Sequence, residues 1–318
     1  MNQQLRQTGE FITENNERLP IIEHLRDAIK PGWESGLIDK TTKEYIGPTK
    51  ELFENKKRKS LIMIDMLKRC GYNNISNKDL LEVGCYMGTQ CFALAELGIN
   101  SIKGIDIPEG ITMSGETSEK VYKANMDLLN RKRDDLSEFF NPYINSLVEF
   151  EDSDICKLNE KEKYDIIFSH ETFEHIHNPK LALINMYNAL KPDGICFHEY
   201  NPFFSFTGGH SLCTTDIPFG HIRLSKNDYD KYIKQYRPNE YKLDMNYYNN
   251  NLNRMCLEDF RYYIDAAGFE VLSFITLPNM NNVQYIDADL LKQVKRIYPK
   301  VELNDFICDT VITILRKK

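Results

Sequence analysis

The stretch LLEVGCYMG, residues 80–88, decides the fold. Apolar residues run into Glu82, Gly84 and Gly88 bracket a tight turn, and TQCFALAEL (89–97) continues with helical character. A strand that breaks into a glycine turn and then a helix brings backbone N–H groups to a ligand at the helix N-terminus. A second short strand, IKGID, ends at Asp106, 24 residues after Glu82, where a carboxylate can accept from two neighbouring ribose hydroxyls. A dinucleotide fold would show G-x-G-x-x-G at this turn. Here Tyr86 stands two residues after Gly84, and Glu82 places a carboxylate where pyrophosphate would be repelled. The pattern suits a nucleotide-like cofactor that carries an amino-acid group and a positive centre.

Glu82-Val83-Gly84-Cys85-Tyr86-Met87-Gly88 resembles the first motif of the class I S-adenosylmethionine-dependent methyltransferases, an acidic residue followed by spaced glycines, with Tyr86 in place of the usual middle glycine. The resemblance implies an α/β, Rossmann-like seven-stranded sheet whose last strand is antiparallel, and S-adenosyl-L-methionine as cofactor. It implies cofactor contacts from Glu82, Gly84, Cys85 and Gly88, from Asp106 and Ile107 at the ribose, and from Asp154 and Ile155 at the adenine. Asp152 competes with Asp154 for the last place. The run YDIIFSHETFEHIHNP (164–179) resembles the family's fourth motif and sets Ser169 and His170 beside the cofactor, with Glu174-His175 just after the strand.

From Asp79 the pattern alternates strand and helix, which predicts a parallel sheet with helices on both faces. Strands are predicted at 79–83, 101–106, 147–151, 164–169 and 194–199, with helices near 89–97, 117–140 and 180–190. Asn178-Pro179 reads as a helix start, Asn as cap and Pro at the first helical position. Residues 1–78 read as a helical N-terminal cap, with apolar residues near helical spacing in NERLPIIEHLRDAI and KELFENKKRKSLIMIDMLKRC. The methyltransferase domain then spans 79–318. Residues 203–256, rich in Tyr, Asn, Gly and Pro, interrupt the alternation as an inserted substrate lid. Alternation resumes with LEDFRYYIDAAGFEVLSFITL, and ICDTVITILRK supplies the final strand, hairpinned onto its predecessor.

Six of the seven histidines lie between His170 and His221, in the part of the chain that feeds the carboxyl ends of the fourth and fifth strands. Ligands bind at that edge of an open α/β sheet. Methyl transfer to a hydroxyl needs held geometry and removal of one proton, and histidine is the natural base near neutral pH. His175 is the candidate base, with Glu199 facing it across the cleft to orient the ring and His170 in reserve. The bland alternative is that Glu174-His175 only cap the following helix. His198, Tyr200, His210, His221 and Arg223 are candidate substrate contacts. Arg223 either forks onto an anionic group or makes a surface salt bridge. Tyr229, Tyr232 and Tyr236 fall at helical spacing, which favours packing. His170-Glu171…His175 does not match a zinc-protease helix, whose histidines are four apart. No metal is assigned.

The chain has 318 residues, 42% hydrophobic and 27% charged, with a net charge of −7. Its basic runs have acidic neighbours, so a small-molecule substrate is favoured over nucleic acid. Eight scattered cysteines without a C-x-x-C pair suit a reducing compartment. The polar N-terminus and the lack of any apolar run of spanning length predict a cytoplasmic protein with no membrane contact. The N-terminal helices either cap the chain's own site or form a homodimer face. The predicted reaction is O-methylation of a small polar metabolite, such as a sugar or nucleotide-linked intermediate. Methylation of nitrogen or carbon or of a macromolecule, a nicotinamide-dependent oxidoreductase, against which the missing G-x-G-x-x-G argues, and a cofactor-binding protein without turnover are the rival readings.

Overall fold

The computed structural model describes residues 5–37, 47–107 and 118–318. Parts of two predictions fall outside these, residues 1–4 and 38–46 of the N-terminal cap and the first residue of the helix near 117–140. Nine strands are described: β1 Arg6–Ile12, β2 Arg18–Glu23, β3 Asp79–Val83, β4 Ser101–Asp106, β5 Val148–Asp152, β6 Tyr164–His170, β7 Leu190–Tyr200, β8 Glu270–Pro278 and β9 Cys308–Arg316. Seven of them form one sheet in the order β5-β4-β3-β6-β7-β9-β8. β3 pairs in parallel with both β4 and β6, β4 with β5, and β6 with β7, while β9 runs antiparallel between β7 and β8. The predicted antiparallel last strand is present. Its link to β8 is a 29-residue excursion through helices Leu290–Ile297 and Leu303–Ile307 and not a tight hairpin.

Side chains alternate across the sheet, because successive residues of a strand point to opposite faces. Leu81, Val83, Ile105, Ile167 and Cys196 pack with residues of the helices Pro179–Ala189 and Leu257–Ala267. Leu80, Ile102, Ile166, Phe168 and Ile195 pack with residues of the helices Lys50–Arg69 and Thr89–Ala95. The helix start at Asn178-Pro179 forms as its residues predict, with Asn178 Oδ1 accepting the Leu181 N–H at 3.1 Å.

The N-terminal reading needs correction. NERLPIIEHLRDAI does not form a helix: β1 and β2 make an antiparallel hairpin, and only Leu25–Ile29 is helical. Pro20, which has no N–H to donate, and the β-branched pair Ile21-Ile22 suit a short strand better than a helix interior. The hairpin is also held from outside, since Ile22 N donates to the Asp216 carbonyl at 2.8 Å. Of the predicted N-terminal helices, only Lys50–Arg69 forms along its length.

Residues 203–256 are likewise more than a loop. They contain helices Lys226–Tyr236 and Tyr241–Asn250 and share a separate core with the hairpin and with helix Leu290–Ile297. Phe11, Leu19, Phe203, Phe204, Phe219, Tyr229, Tyr232, Leu290 and Phe306 meet there. Two buried guanidiniums lock this subdomain. Arg26 pairs with Glu240 at 2.9 Å, and Arg237 pairs with Asp244 and Glu240 at 2.6 Å each. Further guanidinium donors go to backbone carbonyls of Ser211, Leu212 and Thr214, while Arg26 Nε is buried without a partner. Among the described residues, no helix is long and apolar enough to cross a membrane.

Phe11 is buried and meets Tyr232 edge to face at 5.8 Å. Phe11→Ala should therefore cost about 3–5 kcal/mol of stability. Denaturant unfolding measures it, and a loss under about 1 kcal/mol would show that the hairpin is an ornament and not part of the subdomain core.

Candidate functional site

The loop after β3 builds one wall of the site. Gly84 and Cys85 donate their N–H groups to the Ile105 carbonyl at 2.9 and 3.2 Å, which ties the turn to β4. Gly84 has φ +77°, and a Cβ there would lie 2.2 Å from Thr172 Oγ1. Gly88, φ +78°, caps the helix Thr89–Ala95 with its Cα against the Phe150 ring. Tyr86 also takes a positive φ, +47°, a conformation that costs a side chain about 1–2 kcal/mol. Its neighbours compensate. Tyr86 N donates to Asp106 Oδ2 at 2.5 Å, Arg133 Nε donates to its carbonyl at 2.9 Å, and Lys132 Nζ donates to its hydroxyl at 2.8 Å. Asp106 Oδ1 meanwhile takes the Ile107 N–H at 2.7 Å.

A cleft of about 480 Å³ opens at the carboxyl ends of β3 and β6. It is lined by Gly84, Tyr86, Asp106, Ile107, Glu171, Thr172 and His175, by Asn125, Leu128 and Leu129 of the helix Glu119–Ser137, and by Asn250 and Asn251. A pocket of about 130 Å³ adjoins it and shares Gly84, Asp106, Ile107, Thr172 and His175. Val83, Ile105, Ser153, Asp154, Ile155, Ile176 and His177 complete it. Asp154 Oδ1 accepts the Cys156 N–H at 2.8 Å, whereas Asp152 takes the Tyr122 hydroxyl and does not line the pocket. Between the two predicted competitors, the fold brings Asp154 to the cavity.

His175 sits on the short 3-10 turn Phe173–His175 that follows β6. Its Nδ1 lies 2.7 Å from the Asn251 carbonyl. A carbonyl only accepts, so Nδ1 carries the proton and Nε2 is left as an acceptor. The His210 ring lies 5.0 Å away, with its Nε2 buried and unpaired. Glu174, also buried, accepts the Asn201 N–H at 3.3 Å on one oxygen and has no partner on the other; burial pushes its carboxyl up to about 7. Ligand-type atoms of Glu174, His175 and His210 converge within 4.8 Å, so a cation could be held there.

The structure rearranges several predicted contacts. Glu199 does not orient His175. It faces the other layer, where its carboxylate lies 3.4 Å from Lys59 and 3.8 Å from His170 Nδ1. The His170 ring, and after it Lys59, hold the Glu199 carboxyl down at about 2. His170 and Glu199 are register partners at the ends of β6 and β7, and the pleat turns both toward the helix Lys50–Arg69 and away from the cleft. Ser169 and His198 bond each other at 2.9 Å in the core beneath, where burial pushes His198 down to about 3. Tyr200 packs on Phe173 and Phe260. His221 bonds the Phe203 carbonyl at 2.9 Å, and Arg223 pairs with Asp287 at 2.7 Å and Gln293 at 2.8 Å inside the subdomain. Of the five predicted substrate contacts, only His210 adjoins the cleft.

The glycine-loop residues divide in the same way. Gly84 lines both cavities, but Glu82, Cys85 and Gly88 lie behind the loop and line neither. Glu82 is buried, accepts from the Cys91 thiol at 2.9 Å, and is pushed up to about 8 by burial. Cys85 Sγ meets Arg133 at 3.4 Å. Asn125, Leu128, Leu129, Thr172, Asn250 and Asn251 were not singled out by the sequence, Tyr86 was noted only as the residue in the middle-glycine position, and Glu171 only within the rejected zinc pattern. Glu171 and Thr172 sit inside the quoted run 164–179, and the asparagines sit in NYYNNN. Asn125 and Leu128 carry no signal beyond a helix face.

The residues present fit S-adenosylmethionine. Asp106 ends β4 at the mouth of the shared wall, Ile107, Ile155 and Ile176 give apolar surface for a flat ring, and the missing Cβ of Gly84 leaves the loop closely apposed to Thr172. A methyltransferase-domain family profile matches residues 55–273. The ubiquinone biosynthesis O-methyltransferase of Rickettsia canadensis is 28% identical over 163 residues, 51% of this chain and 59% of that protein. The same enzyme of Rickettsia felis is 24% identical over 163 residues, 51% and 57% of the two chains. The matched stretch thus spans under two thirds of these relatives. A solved putative sarcosine dimethylglycine methyltransferase from Galdieria sulphuraria overlays with a TM-score of 0.49 at 13% identity, covering 87% of this chain and 94% of that one. The chain belongs to the methyltransferase-domain family, with the seven-stranded sheet of the class I S-adenosylmethionine-dependent methyltransferases.

Proposed function

We propose that this protein is an S-adenosylmethionine-dependent O-methyltransferase acting on a hydroxyl of a small polar metabolite, with His175 as general base. The observation that carries the reading is the bond from His175 Nδ1 to the Asn251 carbonyl, which leaves Nε2 as the acceptor in a ring that lines both cavities. Asp106 would hold the ribose and Asp154 the adenine amino group, each carboxylate accepting from donors of the cofactor. Bound there, S-adenosylmethionine supplies an activated methyl group. The protein's own part is to hold the acceptor in line and to take its proton on His175 Nε2. Amides of Asn125, Asn250 and Asn251 beside Leu128 and Leu129 suit a polar, hydroxyl-bearing acceptor such as a sugar or the sugar of a nucleotide-linked intermediate. The names of the matched relatives favour oxygen as the methylated atom.

Glu174 adjoins the base, and when ionised its carboxylate stabilises the imidazolium formed during turnover. Its buried carboxyl keeps a proton to about 7, against 4.5 for the ordinary group. The native state therefore binds more protons than the unfolded chain across that window. This contribution to stability is full below about 4.5 and is lost as pH rises through 7.

Four experiments bear on the proposal. His175→Ala should lower kcat by about 10²–10⁴ while the cofactor Kd stays within a few-fold, and full turnover would remove His175 as the base. Asp106→Ala should weaken S-adenosylmethionine binding by roughly tenfold or more in calorimetry. In thermal unfolding from pH 4.5 to 8, the stability of Glu174→Gln relative to the parent should rise as pH passes through 7, because the variant lacks the buried carboxyl that must give up its proton there. Incubation of methyl-labelled S-adenosylmethionine with the protein and a cell extract identifies the acceptor. Label in small hydroxyl compounds supports the reading, and label only in protein or nucleic acid overturns it.

A further inference from the structure

We propose that Asp154, Cys156 and His177 form a site for a soft divalent cation of the zinc type, and that an ion bound there excludes the cofactor. Asp154 caps the short turn Ile155–Lys157 after β5, Cys156 lies within that turn, and His177 follows β6 from the neighbouring loop. One ligand atom from each, a carboxylate oxygen, a thiol sulfur and an imidazole nitrogen, lies within 4.8 Å of the other two. Sulfur and imidazole nitrogen select zinc-like ions over magnesium or calcium, and three protein ligands leave one tetrahedral position open. The local structure orients the set. Asp154 Oδ1 takes the Cys156 N–H at 2.8 Å, and the thiol points toward the Asn178 carbonyl at 3.6 Å. Cys156 is buried while His177 is exposed, so the ion enters from the histidine side.

Exclusion follows from a shared ligand. Asp154 and His177 line the pocket of about 130 Å³ that the proposed function assigns to the adenine, and this part of the inference rests on that assignment. With one Asp154 oxygen already taken by the Cys156 N–H, coordination competes with the adenine amino group for the remaining lone pairs, and the ion itself takes up space at the pocket wall. Binding replaces the Cys156 S–H bond by a sulfur–metal bond and releases that proton to solvent, so metal affinity rises with pH.

The experiment titrates the metal-free full chain with Co²⁺ and then Zn²⁺. A thiolate-to-cobalt charge-transfer band that zinc abolishes is the expected signature, and it separates this site from Glu174, His175 and His210, which contain no sulfur. Cys156→Ser should remove the band. The exposed His177→Gln, a change that spares the core, should weaken zinc binding by at least about tenfold. Absence of the band, or its persistence in Cys156→Ser, overturns the site. Zinc should also lower S-adenosylmethionine affinity of the parent chain in calorimetry but not that of Cys156→Ser, and equal affinity with and without zinc overturns the exclusion. Cofactor binding to the metal-free chain tests the adenine assignment separately: its failure there, with the cobalt band present, would refute that assignment and leave the metal site standing.

Discussion

The reversal of strand order at the paired strands β3 and β6 is the constraint on which the rest of the structure depends. The sheet grows in one direction from β3 through β4 to β5 and in the other through β6 to β7, so the loops leaving β3 and β6 diverge and open a crevice between them. Backbone contact closes its floor. Gly84 meets Thr172 so closely that any Cβ would collide, and a positive φ is needed at the same residue. Those two demands together restrict the position to glycine. The neighbouring Tyr86 shows the opposite solution: its strained backbone is held by Asp106 and Arg133 instead of being relieved by a glycine.

The second determinant is the subdomain made from three separated parts of the chain. The N-terminal hairpin, residues 203–256 and the helix Leu290–Ile297 share one aromatic core. The buried Arg26 and Arg237 are compensated by Glu240 and Asp244. A buried ion pair is costly to break from one side, because the surviving charge remains desolvated. This rigidity bears on chemistry at one point. The helix Tyr241–Asn250 ends at the cleft, and the Asn251 carbonyl that follows it sets the tautomer of His175. The insertion that predicts as a substrate lid thus reaches the site through a backbone atom.

The elements of the sheet were legible because each rests on local pattern. Buried parallel strands read as short apolar runs, Asn178-Pro179 announces a helix, and Asp106 stands at a strand end at a spacing that topology requires. The N-terminal hairpin was misread because apolar spacing over a dozen residues fits strand and helix alike, and the deciding contact, Ile22 to Asp216, is made by a residue nearly two hundred positions away.

The histidines mark the boundary most clearly. Their concentration between 170 and 221 is visible in the sequence and points to the right end of the sheet. Which of them faces the cleft is not visible, because the pleat turns His170 to one layer and Ser169 and His198 to the other, and only the turn after β6 carries His175 to the opening. Local composition therefore determined the fold, the glycine loop and the edge at which ligands bind, since these follow from periodicity and from backbone conformations that few residues tolerate. The tertiary structure alone decided the partner of each ionisable group: His175 with the Asn251 carbonyl, Glu199 with Lys59 and His170, and Arg223 with Asp287. These partners come from distant segments whose packing, not their spacing in the chain, brings them within bonding distance.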